Sequence, residues 1–142
     1  MLRECLVKGI AYQGSLRTGE DLLRGLTHVI EENNIVCGRI TGIGAVTQAR
    51  VAYFDHEHKR YEELLIKEGM EILSLTGNIS KKDGELFPHV HVVLSGRDFR
   101  AFGGHLLHDT LVYAFEYEII PFDGKPLIRQ FDKDTGLFLW KE

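Results

Sequence analysis

The sequence predicts an α+β domain, mainly antiparallel β-sheet with one amphipathic helix. Three observations carry that prediction. One stretch has helical apolar spacing, and most of the remainder alternates like strands of four to ten residues. The segments between those strands are short and turn-rich, which favours antiparallel pairing over helical crossovers. At 142 residues the chain fits a single domain, 1–142, and is long enough to bury a core.

Residues 3–12 alternate loosely and read as a first strand. Thr18-Gly-Glu-Asp21 then opens the helix, with Thr18 as N-cap and acidic residues in the first turn. Leu22, Leu23, Leu26, Val29 and Ile30 form one apolar stripe, His28 falls opposite it, and Asn33-Asn34 ends the helix. Strands follow at Ile35–Val46, Ala49–Asp55, Tyr61–Lys67 and Met70–Ile79. In the first of these, Gly38, Gly42 and Gly44 predict bulging or strong bending. The histidine-bearing strands come next, then Val112–Ile120 and a run through Leu127–Trp140. Seven late aromatics (Tyr113, Phe115, Tyr117, Phe122, Phe131, Phe138, Trp140) suit a core or a subunit interface.

Charge and composition exclude several classes. A net charge of −4 and a pI near 6.0 build in no general attraction to nucleic acid or anionic membranes. No apolar stretch is long enough to span a bilayer, and Met1–Cys5 lacks the features of a signal peptide. Cys5 and Cys37 lie in strand-like segments without a C-x-x-C, which reads as reduced core cysteines. The expectation is a soluble cytoplasmic protein.

His89 and His91 sit two apart in Pro88-His-Val-His-Val-Val-Leu94, so on a strand they share a face. A strand rise of about 3.4 Å per residue separates them by about 7 Å. Ser95-Gly-Arg-Asp-Phe-Arg100 is turn-rich and able to return the chain as a hairpin, bringing His105 to the same face. Three converging imidazoles without an obvious fourth ligand describe an open metal site. Hydrogen-bonded strand histidines are the plain alternative. Yet two parallel imidazoles on one face repel when protonated and gain little from packing, which favours a metal. Zinc is the first choice, with iron, nickel or copper also suited to imidazole. Glu71, Glu85, Asp98 and Asp109 are the candidate acceptors for the second ring nitrogens.

Other motifs read as structure. His56 and His58 share the two-residue spacing but lie in a charged, turn-like segment that suits a solvated hairpin end. His108, three residues from His105, faces the other side of a strand. A cupin-type site wants a glutamate soon after the second histidine, where this chain has Leu94, Ser95 and Gly96. There is no G-x-S-x-G, and neither cysteine has an activating context. Gly42-Ile-Gly-Ala45 is followed by no helical pattern, so strand curvature accounts for it better than a phosphate loop. Gly103-Gly104 lets the backbone beside His105 approach another strand.

Gly69–Asn78, Pro88–Gly96 and Gly103–Leu107 together resemble the plants-and-prokaryotes conserved (PPC) domain. The Glu20-Asp-Leu-Leu23 helix start and the Ile35–Val46 glycine strand are similar too. The resemblance implies a compact homotrimer and a metal held by His89, His91 and His105. In plants the domain mediates self-association and partner binding next to an AT-hook. This chain has no Arg-Gly-Arg-Pro hook, and Met70 stands where the plant partner-binding segment has an Arg-Phe step. Two functions follow as expectations: a metal-dependent binding or scaffold module, or a small metalloenzyme using a water on a three-histidine ion. A small-molecule ligand at the metal fits either. Direct DNA binding as a regulator ranks third.

Overall fold

The computed structural model describes residues 10–140. Cys5 and most of the strand expected over 3–12 lie outside them. The described elements run β1 (Tyr12–Leu16), α1 (Leu22–Glu32), β2 (Gly38–Asp55), β3 (Arg60–Ile66), β4 (Met70–Lys82), β5 (Glu85–Ser95), β6 (Ala101–Leu106), β7 (Leu111–Pro121), β8 (Ile128–Phe131) and β9 (Phe138–Trp140). They form one predominantly antiparallel sheet with a single helix, the α+β class the sequence predicts. No described helix is long and apolar enough to cross a membrane.

The expected strands Ile35–Val46 and Ala49–Asp55 are one continuous strand of 18 residues. Thr47 and Gln48 read as a break because they are polar; instead the register shifts between Val46 and Gln48 and the strand continues. One edge of β2 pairs with β4 and then β3; the other pairs with β7 and then β6. β5 bridges β4 and β6, so β2, β4, β5 and β6 close into a ring. A second register shift between Gly42 and Gly44 bends β2. Gly42 is required there, because a Cβ would collide with the buried ring of Phe115 on β7.

Leu22, Leu26 and Ile30 of α1 are fully buried and pack with Leu75 and Ile79 of β4, Val90, Val92 and Leu94 of β5, and Phe115 and Ile119 of β7. Val90, Val92 and Leu94 therefore spend one face of β5 on the core. The alternate residues His89, His91 and Val93 stand on the opposite face.

The helix cap differs from expectation. Asp21, not Thr18, is the N-cap, and its carboxylate accepts from Arg24 N at 2.8 Å. Thr18 instead donates its hydroxyl to Tyr113 O, and the acidic pair precedes the first turn. Asp21 also accepts from Asp109 N at 2.7 Å and faces His108 Nδ1 at 3.1 Å, tying the helix start to the β6–β7 connection. Asp21→Ala loses both backbone bonds and is expected to lower stability by about 1–2 kcal/mol, read as the shift in a urea midpoint. Asn33 caps the other end as predicted, and Asn34 takes the left-handed conformation at φ 53°. Cys37 is half-buried at the bend before β2 rather than within a strand.

Candidate metal centre

The return of the chain from β5 to β6 is the predicted hairpin. Phe99 N donates to Gly96 O at 3.1 Å, and Asp98 accepts from Arg100 N at 3.2 Å. The register sets His91 directly across from His105. β6 is held on its other side by β2, where Ala52 pairs with His105 and Val51 with Leu106. Space is tight: a Cβ on Gly104 would lie 2.6 Å from the Ala52 carbonyl oxygen. Gly104→Ala is expected to push β6 off β2 and cost about 1–3 kcal/mol. Thermal unfolding checks the cost, and metal content checks the displaced His105.

The strand geometry separates the two β5 histidines, yet their rings lean together. His89 Nε2 and His91 Nε2 are 3.2 Å apart, and the ring centroids of the trio lie 5.0 to 5.5 Å from one another. One ligand nitrogen from each of the three lies within 4.8 Å of the others. Imidazole nitrogens bound tetrahedrally at 2.0–2.1 Å stand about 3.3 Å apart. His105 Nδ1 is buried without a hydrogen-bond partner. The donor set thus fits a small divalent ion.

Burial is the main cause that lowers the pKa of His89 to about 4, with the charges of His105, Arg129 and His91 adding to it. His105 is likewise lowered to about 4, first by burial and then by His91 and Arg129. Burial lowers His91 as well. At neutral pH the rings are uncharged and each keeps one nitrogen lone pair, which at His89 is the Nδ1 lone pair facing Arg129. These groups bind protons more tightly in the unfolded chain, so they support folding above about pH 6.5 and withdraw that support as pH falls toward 4. Metal-free protein is therefore expected to lose stability across that window, measured as urea midpoints from pH 7.5 to 4. A midpoint flat across the window counts against the buried neutral rings.

None of the four carboxylates suggested by the sequence serves the histidines. Asp98 pairs with Arg100, Asp109 with Arg50, and Glu71 and Glu85 are exposed on other surfaces. The residue that does reach the trio is Arg129 of β8, only 8% exposed. It donates to His89 Nδ1 at 3.2 Å, Asn78 Oδ1 at 3.0 Å, Ser80 Oγ at 2.8 Å and Phe138 O at 3.0 Å. No sequence signal marked it: Ile128 is exposed and Arg129 buried, the reverse of what their polarity suggests.

The trio lies in a cleft of about 800 Å³ between the sheet face, the β2–β3 hairpin and the β8–β9 hairpin. Tyr61 of β3 stacks near His105, ring centroids 5.6 Å apart, and Lys82 Nζ lies 3.8 Å from the ring centre of Phe138. His58 is exposed and bonded to Asp55 at 2.6 Å, as a hairpin end should be, whereas His56 lines the cleft. His108 faces away toward Asp21, as expected.

A closed ring of strands carrying three convergent imidazoles on its outer face defines a small β-rich protein with a candidate mononuclear metal site. The chain belongs to the Plants and Prokaryotes Conserved (PCC) domain family, whose sequence model matches residues 5–123. Among solved structures it is similar to a metal-containing protein from Archaeoglobus fulgidus, at 41% identity over all of both chains and a TM-score of 0.90. It is similar to a plant- and prokaryote-conserved protein from Pyrococcus horikoshii at 34% identity, covering 100% and 98% of the two chains, TM-score 0.88. A candidate DNA-binding protein from Bacteroides thetaiotaomicron shares 28% identity over 96% and 94%, TM-score 0.87. A curated relative is a bifunctional GlmU protein from Synechococcus sp. (strain JA-3-3Ab), 30% identical over 128 residues. That match takes in 88% of this chain and 19% of the longer protein.

Proposed function

We propose that this protein is a cytoplasmic, homotrimeric metal-binding module that holds one divalent ion at His89, His91 and His105. Zinc is the ion we assign first, and other divalent transition ions suit the same donors. The carrying observation is the approach of His89 Nε2 and His91 Nε2 to 3.2 Å, with one ligand nitrogen of each of the three histidines within 4.8 Å of the others. The metal-containing relative from Archaeoglobus fulgidus supports the reading. When bound, the ion supplies a Lewis-acid position open to the cleft. The trimer is supported by the family resemblance and by exposed apolar residues on neighbouring strands, Ile43, Leu73 and Val93. Light scattering on the purified chain tests it, and a monomer would overturn it.

Plasma mass spectrometry of untagged protein tests the metal. About one zinc per chain supports the site; no metal even after reconstitution overturns it. The enzyme reading stands second, because no Asp or Glu among the described residues lines the cleft, which leaves His56 as the imidazole there that could act as general base. A DNA-associated role, suggested by the description of the Bacteroides thetaiotaomicron neighbour, stands third. The chain's net charge of −4 opposes it, and absence of retention on duplex DNA at low salt would remove it.

A further inference from the structure

The charge of the metal cleft is lopsided. The sequence has 21 acidic and 17 basic residues, yet among the described residues Lys59, Arg60, Lys82 and Arg129 line the cleft and no carboxylate does. Arg60 turns partly to Glu62 at 3.6 Å, and Lys59 donates to Lys133 O. Lys82 and Arg129 have no ion-pair partner among the described residues. Lys82 lies over the Phe138 ring, and Arg129 is satisfied only by neutral groups. A buried cation without a counter-ion is costly, and the proposed divalent ion would add two more charges a few ångströms away. The walls around these cations are apolar and aromatic: Phe54, Tyr61, Phe87, Leu137, Phe138 and Leu139. The volume lies within the range of small-molecule sites.

We propose that the cleft takes a small organic carboxylate, its charge set between Arg129, Lys82 and the metal position, its apolar body against the aromatic walls. This names the ligand class of the site above and rests on that reading for the ion's share of the charge; Arg129 and Lys82 stand without it. Apolar walls select a carboxylate with a hydrocarbon body over inorganic phosphate, which would leave them unpaired with anything.

Calorimetric titration with benzoate, its neutral isostere benzamide, and inorganic phosphate tests this on intact protein. Zinc content is measured on each sample, and metal-free and zinc-loaded forms are run in parallel. Benzoate is expected to bind the zinc form at least about tenfold tighter than benzamide or phosphate. Lys82→Met is expected to weaken benzoate about fivefold with zinc content unchanged. Equal binding of benzoate and benzamide, or no benzoate binding to zinc-loaded protein, overturns the proposal. Phosphate binding as tightly as benzoate overturns the carboxylate class. Should zinc fail to load, the metal reading falls by its own measurement. The metal-free arm then decides: preference for benzoate over benzamide sustains the cationic cleft, and its absence ends it.

Discussion

His89→Ala/His91→Ala protein is expected to purify with essentially no zinc, and the wild type with about one ion per chain. The two substitutions remove the nitrogens that lie 3.2 Å apart and leave His105 alone, and a single imidazole does not hold a divalent ion against buffer. Losing even an outer partner of a ligand costs roughly 10–100-fold in affinity, so losing two ligands exceeds that. The core should survive, because His89 and His91 lie on the face of β5 opposite Val90, Val92 and Leu94. Unchanged circular dichroism alongside lost zinc would locate the site. Zinc retained in the double variant would place it elsewhere.

Arg129→Met is expected to strengthen zinc binding about tenfold, roughly 1.4 kcal/mol. Arg129 can only donate, so its bond to His89 Nδ1 needs a lone pair there and puts the ring proton on Nε2. A metal at Nε2 needs the opposite tautomer, and Arg129 adds like-charge repulsion toward any cation. Methionine fills similar space without either effect. The substitution also deletes bonds to Asn78 and Ser80, so stability is followed in the same samples. Chelator competition reads the affinity. Weaker zinc binding by folded Arg129→Met protein would mean that Arg129 holds His89 in place rather than opposing the ion.

Much of this arrangement was legible in the residues because it is local. Period-two alternation put His89 and His91 on one face, and the turn chemistry of Ser95–Arg100 returned His105 to them. The glycines at 42 and 44 announced the bend of β2. Local reasoning failed where two signals competed or the partner was remote. Thr18 and Asp21 are both good caps, and the choice fell to Asp21, which also answers the Asp109 amide far along the chain. Ile35–Val46 and Ala49–Asp55 read as two strands, because nothing nearby reveals that strands on both sides keep β2 extended through Thr47-Gln48. Arg129 was invisible as a site residue. It reaches His89 only because β8 adds in parallel to β4, pairing Lys81 with Ile128, a crossover that no short-range pattern encodes. A carboxylate was sought beside the histidines on general grounds, and a guanidinium stands there instead.

The single long β2 strand has a kinetic consequence. Its pairings join residues near 40 to residues near 120, and those near 52 to His105, so the ring closes only after wide loops have been drawn together. Chains dominated by such distant pairings fold slowly, because loop entropy is lost before contacts reward it. His89 and His91 can meet as soon as β5 forms, but His105 is fixed only when β6 seats on β2, and Arg129 only when β8 joins β4. A metal ion therefore has no complete set of donors to gather until the barrel itself is closed. An ion bound at His89, His91 and His105 would thus join a finished fold rather than guide its assembly.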